Sequence, residues 1–132
     1  MINKINLLFL TLFKIGKIKY APGTIASLVT CLFFLFLNNF FGIFTIFFFT
    51  TIIFSYSLIA INISQDSFDE NDPQEIVIDE FIGQMLPLLA IPIYETLYMT
   101  SSLYYCVASF LLFRFFDILK PFPISYIDKN TT

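Results

Sequence analysis

The stretch from Tyr20 to Gln65 reads YAPGTIASLVTCLFFLFLNNFFGIFTIFFFTTIIFSYSLIAINISQ and carries no charged side chain over 46 residues. In helical form it is long enough to cross a hydrocarbon core of roughly 30 Å twice. The next fifteen residues, Asp66 to Glu80, hold seven acids and no base. That junction decides the fold. Two apolar segments lie in a bilayer, and the chain then delivers carboxylates to the membrane surface, where a hard metal ion and a charged lipid head group can meet.

Composition points the same way. The chain has 132 residues, 58% hydrophobic and 13% charged, with 19 phenylalanines. A water-soluble helical domain of this size could not hide so much apolar surface, so lipid is the expected solvent. The length suits one domain, residues 1–132. The net charge of −3 conceals a segregation: Lys4, Lys14, Lys17 and Lys19 precede the apolar run, with no acid among the first 19 residues. A basic N-terminus beside a membrane span reads as cytoplasmic, and acidic loops carry little weight in that rule. Cys31 and Cys106 sit in apolar stretches and read as small buried hydrophobes rather than a disulfide or a nucleophile. Ile5–Phe13, behind Lys4, faintly suggests a signal peptide. It lacks a small-residue cleavage site and lysines resume after it, so an amphipathic interfacial helix or a retained anchor is expected.

Four apolar segments stand out. The first runs over 24–37, short for a full crossing, so it is expected to tilt, thin the bilayer or stop partway. Asn38-Asn39 reads as a turn. The second covers 40–63. The third opens with Asp72 as N-cap, Pro73 in the first turn and Glu75 three residues after the cap, and is expected to run over 73–91. Pro87 should kink it and Pro92 end it. The fourth covers 100–119, stopped by Pro121. The expected fold is all-α, an integral membrane helical bundle with about four apolar segments and an amphipathic N-terminus. Counting crossings from a cytoplasmic N-terminus brings three places to one face: Ala21-Pro22-Gly23-Thr24, Asp79-Glu80, and Arg114 with Asp117 and Lys120.

The chain has no histidine, which excludes Ser-His-Asp hydrolysis, phosphohistidine chemistry and His-ligated zinc. No Gly-x4-Gly-Lys loop occurs. Carboxylates, a few cations and hydroxyls remain, and carboxylates with water and phosphate oxygens favour Mg2+. Glu75 reads as a solvated acid at a helix start. Asp79 and Glu80 run into Phe81-Ile82, where ionisable groups are costly, and so read as functional. Gly83 shares a face with Glu75 and Asp79 and leaves room for close approach. Arg114, Asp117 and Lys120 lie at i, i+3, i+6. Arg114 sits among phenylalanines, where a guanidinium calls for a carboxylate or phosphate partner. Pro22-Gly23-Thr24 is equally an anion-binding helix start or an ordinary turn and cap. Charges gathered at one face argue against a pore.

These residues fall in three motifs. Tyr20-Ala21-Pro22-Gly23-Thr24-Ile25-Ala26-Ser27-Leu28 resembles the Pro-Gly-Thr-x-Gly-Ser-Leu opening of the phosphatidylglycerophosphatase A family. Asp72-Pro73 with Ile76-Val77-Ile78-Asp79-Glu80-Phe81-Ile82-Gly83 resembles its Ile-Val-x-Asp-Glu-x-x-Gly core. Phe113-Arg114-Phe115-Phe116-Asp117-Ile118-Leu119-Lys120-Pro121-Phe122-Pro123-Ile124 resembles its Phe-Arg-x-x-Asp-x-x-Lys-Pro-x-Pro-Ile signature. The resemblance implies a multi-pass enzyme of the bacterial inner membrane, active at the cytoplasmic face. It would use Mg2+ to convert phosphatidylglycerophosphate to phosphatidylglycerol and inorganic phosphate.

Carried over by motif, Asp79, Glu80 and Asp117 are the expected metal or water-activating carboxylates. Arg114 and Lys120 are the expected phosphate-binding cations, and Gly23, Thr24 and Ser27 the substrate-binding residues. Ala26 stands where the family usually has Gly. The family usually continues into a Gly-Gly-x-Gly-Ile segment, an Asp-Asp pair and a final apolar helix, whereas this sequence stops at Thr132, as expected of a C-terminally truncated member. The alternative is therefore a non-catalytic homologue that binds a membrane lipid or partner. No nucleic-acid partner is expected, and a homo-oligomer is left open.

Overall fold

A computed structural model describes residues 2–64, 75–98 and 101–119. Among them the regular elements are helices: α1 (Ile2–Leu10), a 3-10 turn (Ile15–Lys17), α2 (Pro22–Phe40), α3 (Ile43–Ser64), α4 (Ile78–Leu88), α5 (Ile91–Tyr98) and α6 (Ser102–Leu119). By length and composition α2, α3 and α6 can each cross a membrane.

α3 is built inside out relative to a helix of a water-soluble protein. Phe44 is 87% exposed, and Phe47, Phe48 and Phe49 also face outward. Ile46, Thr50, Ser57 and Ala60 form the buried stripe. Small and hydroxylated residues face the bundle and aromatic ones face the lipid, as membrane helix packing favours. The buried hydroxyls are satisfied within the helix, Thr50 donating to the Ile46 carbonyl at 2.8 Å and Ser57 to Phe54 at 2.7 Å, and the outward-facing Thr51 and Ser55 do the same to Phe47 and Thr51, each at 2.9 Å. No water is needed at that depth.

α2 is longer than the sequence suggested. Pro22 opens it, at a position where the missing N–H costs nothing. It continues through Asn38 and Asn39 to Phe40, so its 19 residues reach about 28 Å at 1.5 Å each. The expected turn at Asn38-Asn39 is shifted to Phe41-Gly42, because both amides find acceptors without leaving the helix. Asn39 Nδ2 donates to the Leu35 carbonyl at 3.0 Å, and Asn38 Nδ2 to Glu95 Oε2 at 3.3 Å. Glu95 also accepts from the Ser102 hydroxyl, so one carboxylate ties α2, α5 and α6 together.

The third segment differs more. Its helix begins at Ile78, and it breaks into two. Asp72 and Pro73, like Asp66, Asp69, Glu70 and Pro121, lie outside the described residues. Pro87 lies inside α4, which ends one residue later. Pro92 does not end a helix: it is the second residue of α5, again in a first turn that tolerates it. Ile78, Phe81, Ile82, Met85 and Leu88 are buried, a helical stripe that meets Ala26, Cys31 and Phe34 of α2 in the core. Gln84, fully buried, donates from Nε2 to Ser109 Oγ at 3.0 Å and fastens α4 to α6. Gly83 permits the same approach, since a Cβ there would lie 2.9 Å from Phe113 Cε2. Cys31 and Cys106 are free and buried, as expected of small apolar fillers.

The N-terminal helix is amphipathic: Leu10 and Asn6 are buried while Lys4 and Ile5 face outward. It packs on α3 through Tyr56, whose hydroxyl donates to Asn6 Oδ1 at 2.7 Å and whose ring meets Phe9 edge-on at 4.9 Å. Leu12, Phe13 and Lys14 then hold φ of 47°, 55° and 75°. Left-handed backbone costs an L-residue roughly 1–2 kcal/mol, so this sharp corner is bought by the packing around it. The segment leading into α4 docks on the corner, where the Val77 N–H donates to the Leu10 carbonyl at 3.1 Å.

Candidate active site

Three chain segments meet at the end of the bundle where α2 and α4 begin and α6 approaches its finish. Ala21, Pro22 and Gly23 come from the start of α2, Ile76, Asp79 and Glu80 from the approach and first turn of α4, and Arg114 from α6. Together they line a cavity of about 330 Å3. Among the described residues, 21–23, 79–80 and 114 thus come to one end of the bundle.

Glu80 lies against the first turn of α2. A Cβ on Gly23 would come 3.0 Å from the Glu80 carboxyl carbon and collide with Oε1, so only glycine leaves the carboxylate this place. Glu80 Oε2 is buried with no protein hydrogen-bond partner. Burial pushes the Glu80 carboxyl up to about 8, and the hydrogen bond to Asp79 and the charges of Asp79 and Asp117 act in the same direction.

The Arg114 side chain is 15% exposed, and Nη1 lies 2.8 Å from Asp117 Oδ2. The pair is close but poorly aligned, so Nε and Nη1 are buried with their hydrogens unclaimed. Arg114 also lines the cavity, and a buried planar guanidinium with unclaimed donors suits an anion with several oxygens.

The other expected site residues stand further off. Asp117 is occupied with Arg114, and among the described residues no three acids or cysteines gather into a metal-holding group. Asp117 thus faces Arg114, while Asp79 and Glu80 line the cavity. Thr24 is half-buried and outside the cavity lining. Its N–H, like that of Ile25, bonds the Ala21 carbonyl, so that helix start offers an anion less than expected. Ser27 is buried one turn in, its hydroxyl donating to the Gly23 carbonyl at 2.9 Å, and so it supports the glycine instead of facing the cavity. Ala26, fully buried in the core, lies outside the lining as well. Lys120 lies outside the described residues. Glu75 pairs with Lys17 at 3.4 Å on the surface, in keeping with a solvated acid. Ile76 in the lining and the dependence of Glu80 on Gly23 are additions that the motifs did not mark. A glycine in the first turn of a helix, where nothing in the turn demands it, was the available signal.

The donor set fits a hard divalent cation. Asp79 and Glu80 line one cavity, and Glu80 Oε2 is buried without a partner. Mg2+ is commonly held by one or two carboxylates, its remaining positions going to water and substrate phosphate.

Fold and site together define a helical membrane protein with a carboxylate–arginine cavity at one end. Comparison with known proteins narrows this. The family described as phosphatidylglycerophosphatase A matches residues 8–132. The chain belongs to the phosphatidylglycerophosphatase A family. It is 36% identical over 130 residues to the phosphatidylglycerophosphatase A of Haemophilus influenzae, covering 98% of this chain and 75% of that protein. It is also 34% identical over 118 residues to a Bacteroides thetaiotaomicron protein provisionally named a phosphatidylinositol-3-phosphatase, covering 86% and 70% respectively. With the Escherichia coli phosphatidylglycerophosphatase A it shares 38% identity over 60 residues, 46% of this chain and 31% of the relative. No solved structure matches the chain.

Proposed function

We propose that this chain hydrolyses the terminal phosphomonoester of phosphatidylglycerophosphate, giving phosphatidylglycerol and inorganic phosphate. The observation that carries the reading is the cavity that Asp79, Glu80 and Arg114 share with Gly23. It combines oxygen donors for a cation with a buried guanidinium fork for a phosphate, in a family whose relatives bear lipid phosphatase names.

Asp79 and Glu80 are the proposed Mg2+ ligands, and Mg2+ bound there would polarise the phosphoryl group and acidify water. Arg114 binds the non-bridging oxygens and stabilises the charge that grows on them. Asp117 holds the guanidinium in orientation and adds negative potential at Glu80. Lys120, three residues further along the same motif, is the proposed second phosphate-binding cation. Asp79 and Glu80 are also the candidate acceptors for the proton of the attacking water.

An apolar cavity of about 260 Å3 supports an amphiphilic substrate. Ile78 and Phe81, which bracket Asp79 and Glu80, are among its lining residues, with Phe9, Val29, Phe33 and Ile53. The first turn of α4 thus separates a polar cavity from a greasy one. The lysines of the N-terminal segment support a cytoplasmic placement for this end of the bundle, in the bacterial inner membrane.

The test is the ratio of kcat/KM for phosphatidylglycerophosphate and phosphatidylinositol 3-phosphate in mixed micelles, with Asp79→Asn as the blank. A preference of at least about tenfold for phosphatidylglycerophosphate is expected, the scale of a single well-made polar contact. The reverse order would transfer the activity to the phosphoinositide.

A further inference from the structure

Outside the active site, the corner between α1 and the 3-10 turn gathers cations. Lys4, Lys14 and Lys17 line one small cavity of about 170 Å3, whose floor is Leu7, Leu8 and Thr11. Lys4 stands ten residues before Lys14, on the other side of the corner, so their meeting is a product of the turn between them. The left-handed run Leu12–Phe13–Lys14 makes it possible by turning the chain sharply after α1. That run sorts the side chains as well: Leu12, Phe13 and Ile15 enter the apolar cavity, whereas Lys14 and Lys17 enter the basic one. The Thr11 hydroxyl fixes the corner, accepting the Lys14 N–H at 3.3 Å and donating to the Leu7 carbonyl at 2.8 Å.

Among the described residues one acid answers these charges. Glu75 reaches Lys17 at 3.4 Å, and among the described residues no acid pairs with Lys4 or Lys14. Backbone strain concentrated where like charges converge points to a ligand that neutralises them. The corner lies at the same end of the bundle as the active site, joined to it through Ile18–Ala21 and through the Lys17–Glu75 pair. α2 begins and α6 finishes at this end, so a bundle whose long helices cross a bilayer brings it to head-group level.

We propose that Lys4, Lys14 and Lys17 form a second, non-catalytic site for a phosphate-bearing anion, which the membrane supplies as the head group of an anionic phospholipid. Two charges contributed near a membrane surface are enough to change lipid affinity about tenfold or more. The site would hold an anionic lipid beside the active site and fix the corner on which the segment entering α4 rests.

The experiment is native mass spectrometry of the full chain released from detergent, titrated with phosphatidylglycerol, with phosphatidylcholine, and with inorganic phosphate as competitor. Variants are Lys4→Gln/Lys14→Gln, which spares the Lys17–Glu75 pair, and Arg114→Gln, which alters only the active site. The wild type should retain one more tightly bound phosphatidylglycerol than the double lysine variant, or bind it about tenfold more tightly. Arg114→Gln should keep that lipid, and phosphatidylcholine should not occupy the site. Equal phosphatidylglycerol binding by wild type and double variant overturns the proposal, as does equal binding of phosphatidylcholine. Displacement of the lipid by millimolar inorganic phosphate overturns the assignment to a head group. A thermal melt of each variant in detergent separates lost binding from lost fold, and Lys4→Arg/Lys14→Arg should restore the lipid.

Discussion

Gly23 and Glu80 are in contact across the α2–α4 interface, so closely that the glycine's missing side chain is what gives the carboxylate its position. Gly23→Ala therefore displaces Glu80 while removing no polar group from the site. A misplacement on the order of 1 Å can cost roughly a hundredfold in rate. The expected outcome is a drop of at least tenfold in kcat with a Tm within a few degrees of wild type. Full activity in Gly23→Ala would show that Glu80 need not occupy this position.

Arg114 is expected to act as a fork and not as a point charge. Arg114→Lys keeps the positive charge but loses the planar pair of donors, and should lower kcat/KM by at least about tenfold, mostly through KM. Asp117→Asn, which only loosens the orientation, should cost less. Steady-state kinetics in micelles check both, and a fully active Arg114→Lys protein removes the bidentate role.

The Glu80 carboxyl is raised from the ordinary value of 4.5 to about 8, first by burial and then by Asp79. The folded state thus holds that proton more tightly than the unfolded chain. The associated stability is complete below about 4.5 and is lost as pH rises through about 8. In EDTA, Tm should fall between about pH 5 and about pH 9, and Glu80→Gln, which cannot ionise, should flatten the decline. An identical slope in Glu80→Gln would assign the effect elsewhere.

Mg2+ and that proton compete for the same oxygens. Titrating Mg2+ near neutral pH should release close to one proton per ion bound, because a carboxylate ligand must be deprotonated. Calorimetry in two buffers of different ionisation enthalpy reads the number. Binding without proton release would mean that the cation sits elsewhere.

Much of this arrangement was readable from the residues, and the reason is the bilayer. Long uncharged runs must be helices there, and alternate crossings bring residues 21–24, 79–80 and 114 to one end whatever the details of packing. What could not be read depended on local competition. Asn38 and Asn39 have turn chemistry, yet they stay helical because Leu35 and Glu95 supply acceptors. Pro92 has the look of a terminator, but a proline serves equally as an opener, and the break after Leu88 settled which. Ser27 was grouped with the substrate site by its motif, and its hydroxyl is taken by the Gly23 carbonyl one turn away. Asp117 was grouped with the metal ligands, and it pairs with Arg114. Hydroxyl and carboxylate directions are set by the nearest partner, which spacing along a helix does not specify.

The central claim is that the carboxylates of α4 hold a cation for phosphomonoester hydrolysis. The measurement is phosphate release from phosphatidylglycerophosphate in detergent micelles by this purified 132-residue chain, with Mg2+ and with EDTA, beside a folded Asp79→Asn protein. The wild type should release phosphate with Mg2+ and not with EDTA, and Asp79→Asn should lower the rate at least about a hundredfold. Release that is indifferent to EDTA, or a near-normal rate in Asp79→Asn, would contradict the claim.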